Sequence, residues 1–163
     1  MEPVRWLTLE EQDAWRAFVR GATLLLDRLD SELAEAHGLT LADYEILVWL
    51  SEAPRGGMRM SDLADRALVS RSRLTYRVDR LVNEGLVERR PCPSDRRGSL
   101  AVLTPTGRRR LERAAPTHVD GVVAHLLDHA STRDLAAVGR VFRAVADALD
   151  APDSTADRAS DAV

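Results

Sequence analysis

Ser70-Arg-Ser-Arg-Leu-Thr-Tyr-Arg-Val-Asp-Arg-Leu-Val-Asn-Glu-Gly85 has the marks of one short helix with two unlike faces. Ser70 suits an N-cap, where its hydroxyl accepts from an amide left without a partner at the helix start. Leu74, Val78, Leu81 and Val82 recur at i, i+4, i+7 and i+8 and make one apolar face. Arg73, Arg77 and Arg80 form a second stripe away from it, and Ser72, Thr75 and Tyr76 add hydrogen-bonding groups beside that stripe. Gly85 offers the left-handed residue on which helices end.

Working outward toward the N-terminus, a shorter helix is expected, with Ser61 as its cap and Leu63, Ala64 and Ala67 facing inward. Leu68-Val69 makes the turn between the two. A short helix, a tight turn and a second, basic helix spell a helix-turn-helix. Toward the C-terminus, Leu86 to Arg90 reads as a strand, Pro91-Cys-Pro-Ser-Asp-Arg-Arg-Gly98 as a turn-rich tip, and Ser99 to Leu103 as the returning strand. Met58 to Met60 is expected to add a minor strand against this hairpin. The hairpin is a β-wing with Arg96 and Arg97 at its tip. An α-helix fits the DNA major groove and brings side chains to base edges. An arginine on a thin hairpin reaches the neighbouring minor groove, where the potential is most negative.

The segment formed by Val78-Asp-Arg-Leu81, Gly85-Leu-Val87, Arg89, Pro93-Ser-Asp-Arg-Arg97, Leu103-Thr104 and Gly107 closely resembles the MarR family of bacterial winged-helix regulators. Asp95 and Arg97 match that family's D-x-R wing element. The flanking helices also fall where the family has them, so the resemblance covers nearly the whole chain. Cys92 departs from it, since many members carry an acidic residue there.

Charge distribution agrees. The 163 residues carry a net charge of -3, which by itself points away from nucleic acid. Yet Arg66 to Arg113 holds thirteen arginines against five acids, a local balance of +8 between acidic ends. A basic centre of this kind is the footprint of a polyanion site. All 23 basic residues are arginine, a bias that suggests a GC-rich genome and that suits forked contacts to bases and phosphates. There is no charged segment leading an apolar one at the N-terminus and no apolar run near the roughly 20 residues that span a bilayer, so the cytoplasm is the expected location.

Around the DNA-binding segment lie long amphipathic stretches. Thr8-Leu-Glu-Glu11 is a capping box, followed at helical spacing by Trp15, Phe18, Ala22, Leu25, Leu26, Leu29 and Leu33, with a stop near His37-Gly38. Thr40-Leu-Ala-Asp43 opens a second helix that Pro54 to Gly57 breaks. Thr104-Pro105 opens another long helix running to Leu126-Leu127, with Pro116 expected to kink it. Ser131 caps a last helix whose Leu135, Val138, Phe142, Val145 and Leu149 keep a 3-4 rhythm. The expected architecture is mainly α, a winged helix-turn-helix with N- and C-terminal dimerisation helices. Its parts are an N-terminal dimerisation helix (1–38), the DNA-binding domain (39–104), C-terminal dimerisation helices (105–150) and a disordered tail (151–163). So much apolar helix surface calls for a partner, and a symmetric dimer is the commonest one. Two recognition helices about 34 Å apart would then favour a pseudo-palindromic duplex site.

The candidate DNA contacts are Ser61, Ser70, Arg71, Ser72, Arg73, Thr75, Tyr76, Arg77, Asp95, Arg96 and Arg97, with Asp95 orienting an arginine of the wing. Arg80 is divided between DNA and an i+4 pair with Glu84. The resemblance implies release by a small aromatic or phenolic ligand. Trp15, Arg16, Phe18, Tyr44, Trp49 and His118 are its candidate site, against the plain alternative of core packing. No cofactor is expected. Cys92 has no second thiol to resolve a sulfenic acid. His125 and His129 at i, i+4 beside Asp128 lack the further ligands of a metal site. No nucleophile–base arrangement or phosphate-cradling loop suggests an enzyme. The expected function is a sequence-specific repressor. The rival readings are a sequence-tolerant architectural DNA-binding protein and a winged-helix module that binds protein.

Overall fold

The structure, a computed structural model, describes residues 3–54, 57–92 and 95–150, and of 95–97 the backbone alone. The described elements run in the order α1 (Leu9–His37), α2 (Leu41–Glu52), β1 (Gly57–Arg59), α3 (Met60–Arg66), α4 (Arg71–Asn83), β2 (Val87–Cys92), β3 (Asp95–Leu103), α5 (Pro105–His125), a 3-10 turn at Leu127–His129 and α6 (Thr132–Asp150). The chain divides into two compact units, Met1–Val122 and Val123–Val163.

In the first unit α1, α2 and α4 are capped at Thr8, Thr40 and Ser70. Thr8 and Glu11 close a capping box on α1, as do Thr40 and Asp43 on α2. Each satisfies two orphan amides at once. The Ser70 hydroxyl accepts from Arg73 N at 3.3 Å and starts α4. Gly38 and Gly85 end α1 and α4 in the left-handed region, at φ 64° and 71°. The core gathers Leu33 of α1, Ile46, Leu47 and Leu50 of α2, Leu63 of α3, Leu74, Val78 and Leu81 of α4, and Val87 of β2. The apolar faces inferred for α3 and α4 therefore meet the C-terminal end of the α1 stripe, with the polar side of α4 turned outward. The turn before α4 passes through Leu68 at φ 50°, exposed at the surface.

The strands form an antiparallel sheet in the order β1-β3-β2. Gly57 pairs with Val102 and Arg59 with Leu100 on one side of β3; Val87 pairs with Leu103 and Pro91 with Ser99 on the other. The register slips between Pro91 and Cys92, which faces Asp95.

Several expectations need correction. Ser61 is not a cap: Arg59 occupies the N-cap of α3 without a side-chain bond, and the Ser61 hydroxyl donates to Asp62 at 2.9 Å. The minor strand starts one residue earlier than expected, and Met60 already belongs to α3. The wing strands are longer, so Arg96 and Arg97 lie on β3 rather than in a broad tip. Pro93 and Ser94, like Arg55, Gly56 and the expected tail 151–163, lie outside the described residues. α5 stays helical through Pro116 but stops at His125, and Leu127 belongs to the 3-10 turn.

In the second unit, Ser131 and Asp134 reciprocally cap α6, with Ser131 N donating to Asp134 Oδ2 at 3.0 Å and Asp134 N to Ser131 Oγ at 3.3 Å. Its apolar stripe is open to solvent: Val138, Val141, Phe142, Val145 and Leu149 are all exposed.

Candidate nucleic-acid interface

The outward face of α4 follows from the placement of its apolar residues. With Leu74, Val78 and Leu81 in the core, Arg71, Ser72, Arg73, Thr75 and Tyr76 are left exposed and Arg77 half-buried. Ser70 Oγ lies 3.2 Å from Ser72 Oγ beside the helix start. Arg71 and Thr75 lie toward one side of the helix, and Arg73, Tyr76 and Arg77 toward the other.

Beside them a cleft of about 340 Å³ opens between the helix-turn-helix and the sheet. Arg59 of β1, Met60 and Ser61 of α3, Arg71 and Thr75 of α4, Arg89 of β2, and Gly98 and Ser99 of β3 line it. Ser61, though no cap, therefore sits with Arg71 and Thr75. Arg59 and Ser99 were missed by the sequence reading, because only the strand pairing carries them to α4. Arg89 Nη2 donates to Asp79 Oδ1 at 2.8 Å and ties β2 to α4. The side chains of Asp95, Arg96 and Arg97 lie outside the described residues, so their place at the interface rests on the sequence.

A second cleft, also about 340 Å³, runs along the other side of α4. Thr40, Asp43, Arg73, Tyr76, Arg77 and Arg80 line it. Arg80 meets the buried carboxylate of Asp43, and its Nε stands 3.9 Å from Glu84 Oε1. The expected i+4 pair is thus secondary to a partner that no local spacing reveals. Close by, the Glu45 carboxyl is raised above its ordinary value by burial, with the charge of Arg77 pulling it back down.

The six aromatic and polar candidates for a small-molecule site fall into smaller groups. The Tyr44 and His118 rings stack at 4.6 Å between centroids, tilted by 39°. Tyr44 is in the core, His118 is half-buried, and burial lowers the His118 pKa and raises that of Tyr44. His118 Nδ1 is buried with no hydrogen-bond partner among the described residues. Trp15 and Phe18 pair at 5.8 Å, and Trp15 and Arg16 line an open concavity made of α1 residues only. Trp49 packs against the core of the first unit, the plain reading for that residue.

This arrangement has counterparts among known proteins. A family model described as MarR family matches residues 37–98. The transcriptional activatory protein BadR of Rhodopseudomonas palustris is 31% identical over 112 residues, 68% of this chain and 64% of BadR, so the chain spans less than two thirds of that relative. Solved structures extend the likeness further. Sco3205, a MarR family transcriptional regulator from Streptomyces coelicolor solved in complex with DNA, is 42% identical with a TM-score of 0.89, over 94% of this chain and 95% of its own. AbsC, a MarR family transcriptional regulator from the same organism, is 43% identical with a TM-score of 0.85, over 90% of this chain and 98% of its own. With likeness at this level running through the flanking helices as well as the winged helix-turn-helix, the chain belongs to the MarR family of transcriptional regulators.

Proposed function

We propose that the protein is a dimeric, sequence-specific DNA-binding repressor of the cytoplasm that leaves its operator when it binds a small aromatic ligand. The observation that carries this reading is the face of α4, where Arg71, Ser72, Arg73, Thr75 and Tyr76 are all exposed beside a cleft lined by further arginines. Forked arginines at a helix surface suit guanine edges or phosphates, and hydroxyls suit phosphate oxygens. Ser61, Ser70 and Arg77 extend this set, and Asp95, Arg96 and Arg97 are assigned to the wing contact in the minor groove. Likeness to Sco3205, whose structure holds DNA, supports the same reading.

Dimerisation is assigned to the flanking segments, residues 1–38 and 105–150. The apolar stripes of α1 and α6, exposed at Trp15, Phe18, Leu24, Leu26, Val138, Phe142 and Val145, support it. A monomer rarely leaves such stripes uncovered. For the ligand, the Tyr44–His118 pair offers an aromatic wall next to an unsatisfied ring nitrogen. A ligand releases DNA only by binding the DNA-incompetent state more tightly.

The test is fluorescence anisotropy with the protein's own upstream intergenic duplex against a scrambled one, across a salt series and with aromatic acids added. Tight binding to the native fragment that falls with an added aromatic acid is expected. Equal binding to both duplexes would favour the architectural alternative. A promoter reporter then decides the sign of regulation.

A further inference from the structure

Among the described residues, Asp43 is the one charged side chain in the core, with no exposed surface. Its Oδ2 accepts from Thr40 N at 3.2 Å and from the Thr40 hydroxyl, completing the α2 capping box. That duty needs an acceptor at the third helical position but no charge, and an amide oxygen serves it as well. Burying a carboxylate is costly unless a cation meets it. The cation is Arg80, whose Nη2 reaches the same Oδ2 from the last turn of α4.

Arg80 is itself out of the ordinary. It is three residues from Arg77 and seven from Arg73, so it shares their stripe on the helix, and all three line the same cleft. Its side chain is 42% exposed, and released from Asp43 it would add a third long cation to a surface that already carries Arg73 and Arg77. Such a cation grips phosphate wherever a duplex passes, because phosphate contacts carry no base information. Asp43 holds its guanidinium along the protein instead, with Glu84 Oε1 3.9 Å from its Nε.

We propose that Asp43 is a specificity-determining positioning residue: by holding Arg80 against α2, it withholds one cation from the DNA phosphates. The proposal rests on the reading of α4 as the DNA-binding helix. Removing the Asp43 charge therefore strengthens binding to unrelated DNA while blunting discrimination, whereas loss of a contact residue weakens binding.

The experiment is anisotropy on the full chain with the native upstream duplex and a scrambled duplex, over a salt series. It compares wild type, Asp43→Asn and the double variant Asp43→Asn/Arg80→Gln, each checked for folding by circular dichroism. Asp43→Asn is expected to steepen the slope of log affinity against log salt by about 0.9, the increment of one added phosphate contact. Its preference for the native duplex should fall on the order of tenfold, within the cost of about one mismatched base pair. The double variant, with no cation to release, should keep the wild-type slope and recover most of the preference. A folded Asp43→Asn protein with wild-type slope and preference overturns the proposal. Should Asp43→Asn fail to fold, the double variant decides: a slope shallower than wild type by about 0.9 means that Arg80 already grips phosphate, which also overturns it. Wild-type protein that binds neither duplex at low salt removes the DNA-binding reading as well, a failure visible before any variant is compared.

Discussion

Gly107 sets a joint by what it lacks. A Cβ there would stand 2.0 Å from the Leu86 carbonyl oxygen and 2.8 Å from Leu103 Cδ1. Backbone cannot give way as a flexible side chain does, so Gly107→Ala is expected to cost about 1–3 kcal/mol, read from the midpoint of urea unfolding. Thr104 works at the same joint: its hydroxyl donates toward the Gly85 and Leu86 carbonyls at 2.8 and 3.1 Å and accepts from Gly107 N at 3.0 Å. His118 sets a pH dependence. Burial holds its pKa below the ordinary 6.5, so on acidification the unfolded chain takes up the proton first. The stability linked to it is complete above about pH 6.5 and is lost as the pH falls through the lower, folded-state pKa. Thermal unfolding of wild type should thus fall in midpoint below pH 6.5, and His118→Phe should flatten that fall. An equal fall in both proteins would assign the titration to another group.

Helix α4 shows how far an element can be read before it is seen. Its cap, its apolar face and its left-handed stop are all local signals, and the structure places Ser70, Leu74, Val78, Leu81 and Gly85 in those roles. Ser70→Ala is expected to lower stability by about 1 kcal/mol, measured by denaturant unfolding, because Arg73 N loses its acceptor. The start of α3 was misread for an equally local reason. Ser61-Asp62 looks like the opening of a capped helix, but the chain arrives as strand β1, and the pairing of Arg59 with Leu100 sets where the helix begins. Asp43 was legible as part of a helix start and not as the partner of Arg80, since 37 positions of sequence separate them and no periodicity joins α2 to α4. The cleft beside α4 was legible in part: Arg71 and Thr75 belong to the helix pattern, whereas Arg59 and Ser99 come to it through strand register.

At the scale of the whole molecule, the exposed apolar stripes are the strongest constraint on how the protein exists in solution. Phe142 keeps 40% of its surface exposed and Leu149 79%, on a helix with a clean 3-4 rhythm. If a second copy covers this stripe, Phe142→Asp shifts the species seen by light scattering toward monomer. Its melting temperature then loses the rise with concentration that wild type shows, because association and stability are linked by mass action. An unchanged mass would move the interface elsewhere. The Thr104–Gly107 joint carries a consequence for how regulators of this design can be recombined. The stretch matched by the family model ends at residue 98, short of the atoms that lock the wing strands to α5. A DNA-reading head cut there and grafted onto a foreign sensor would leave the Gly85 and Leu86 carbonyls without their hydroxyl, so the smallest transplantable head reaches through Gly107.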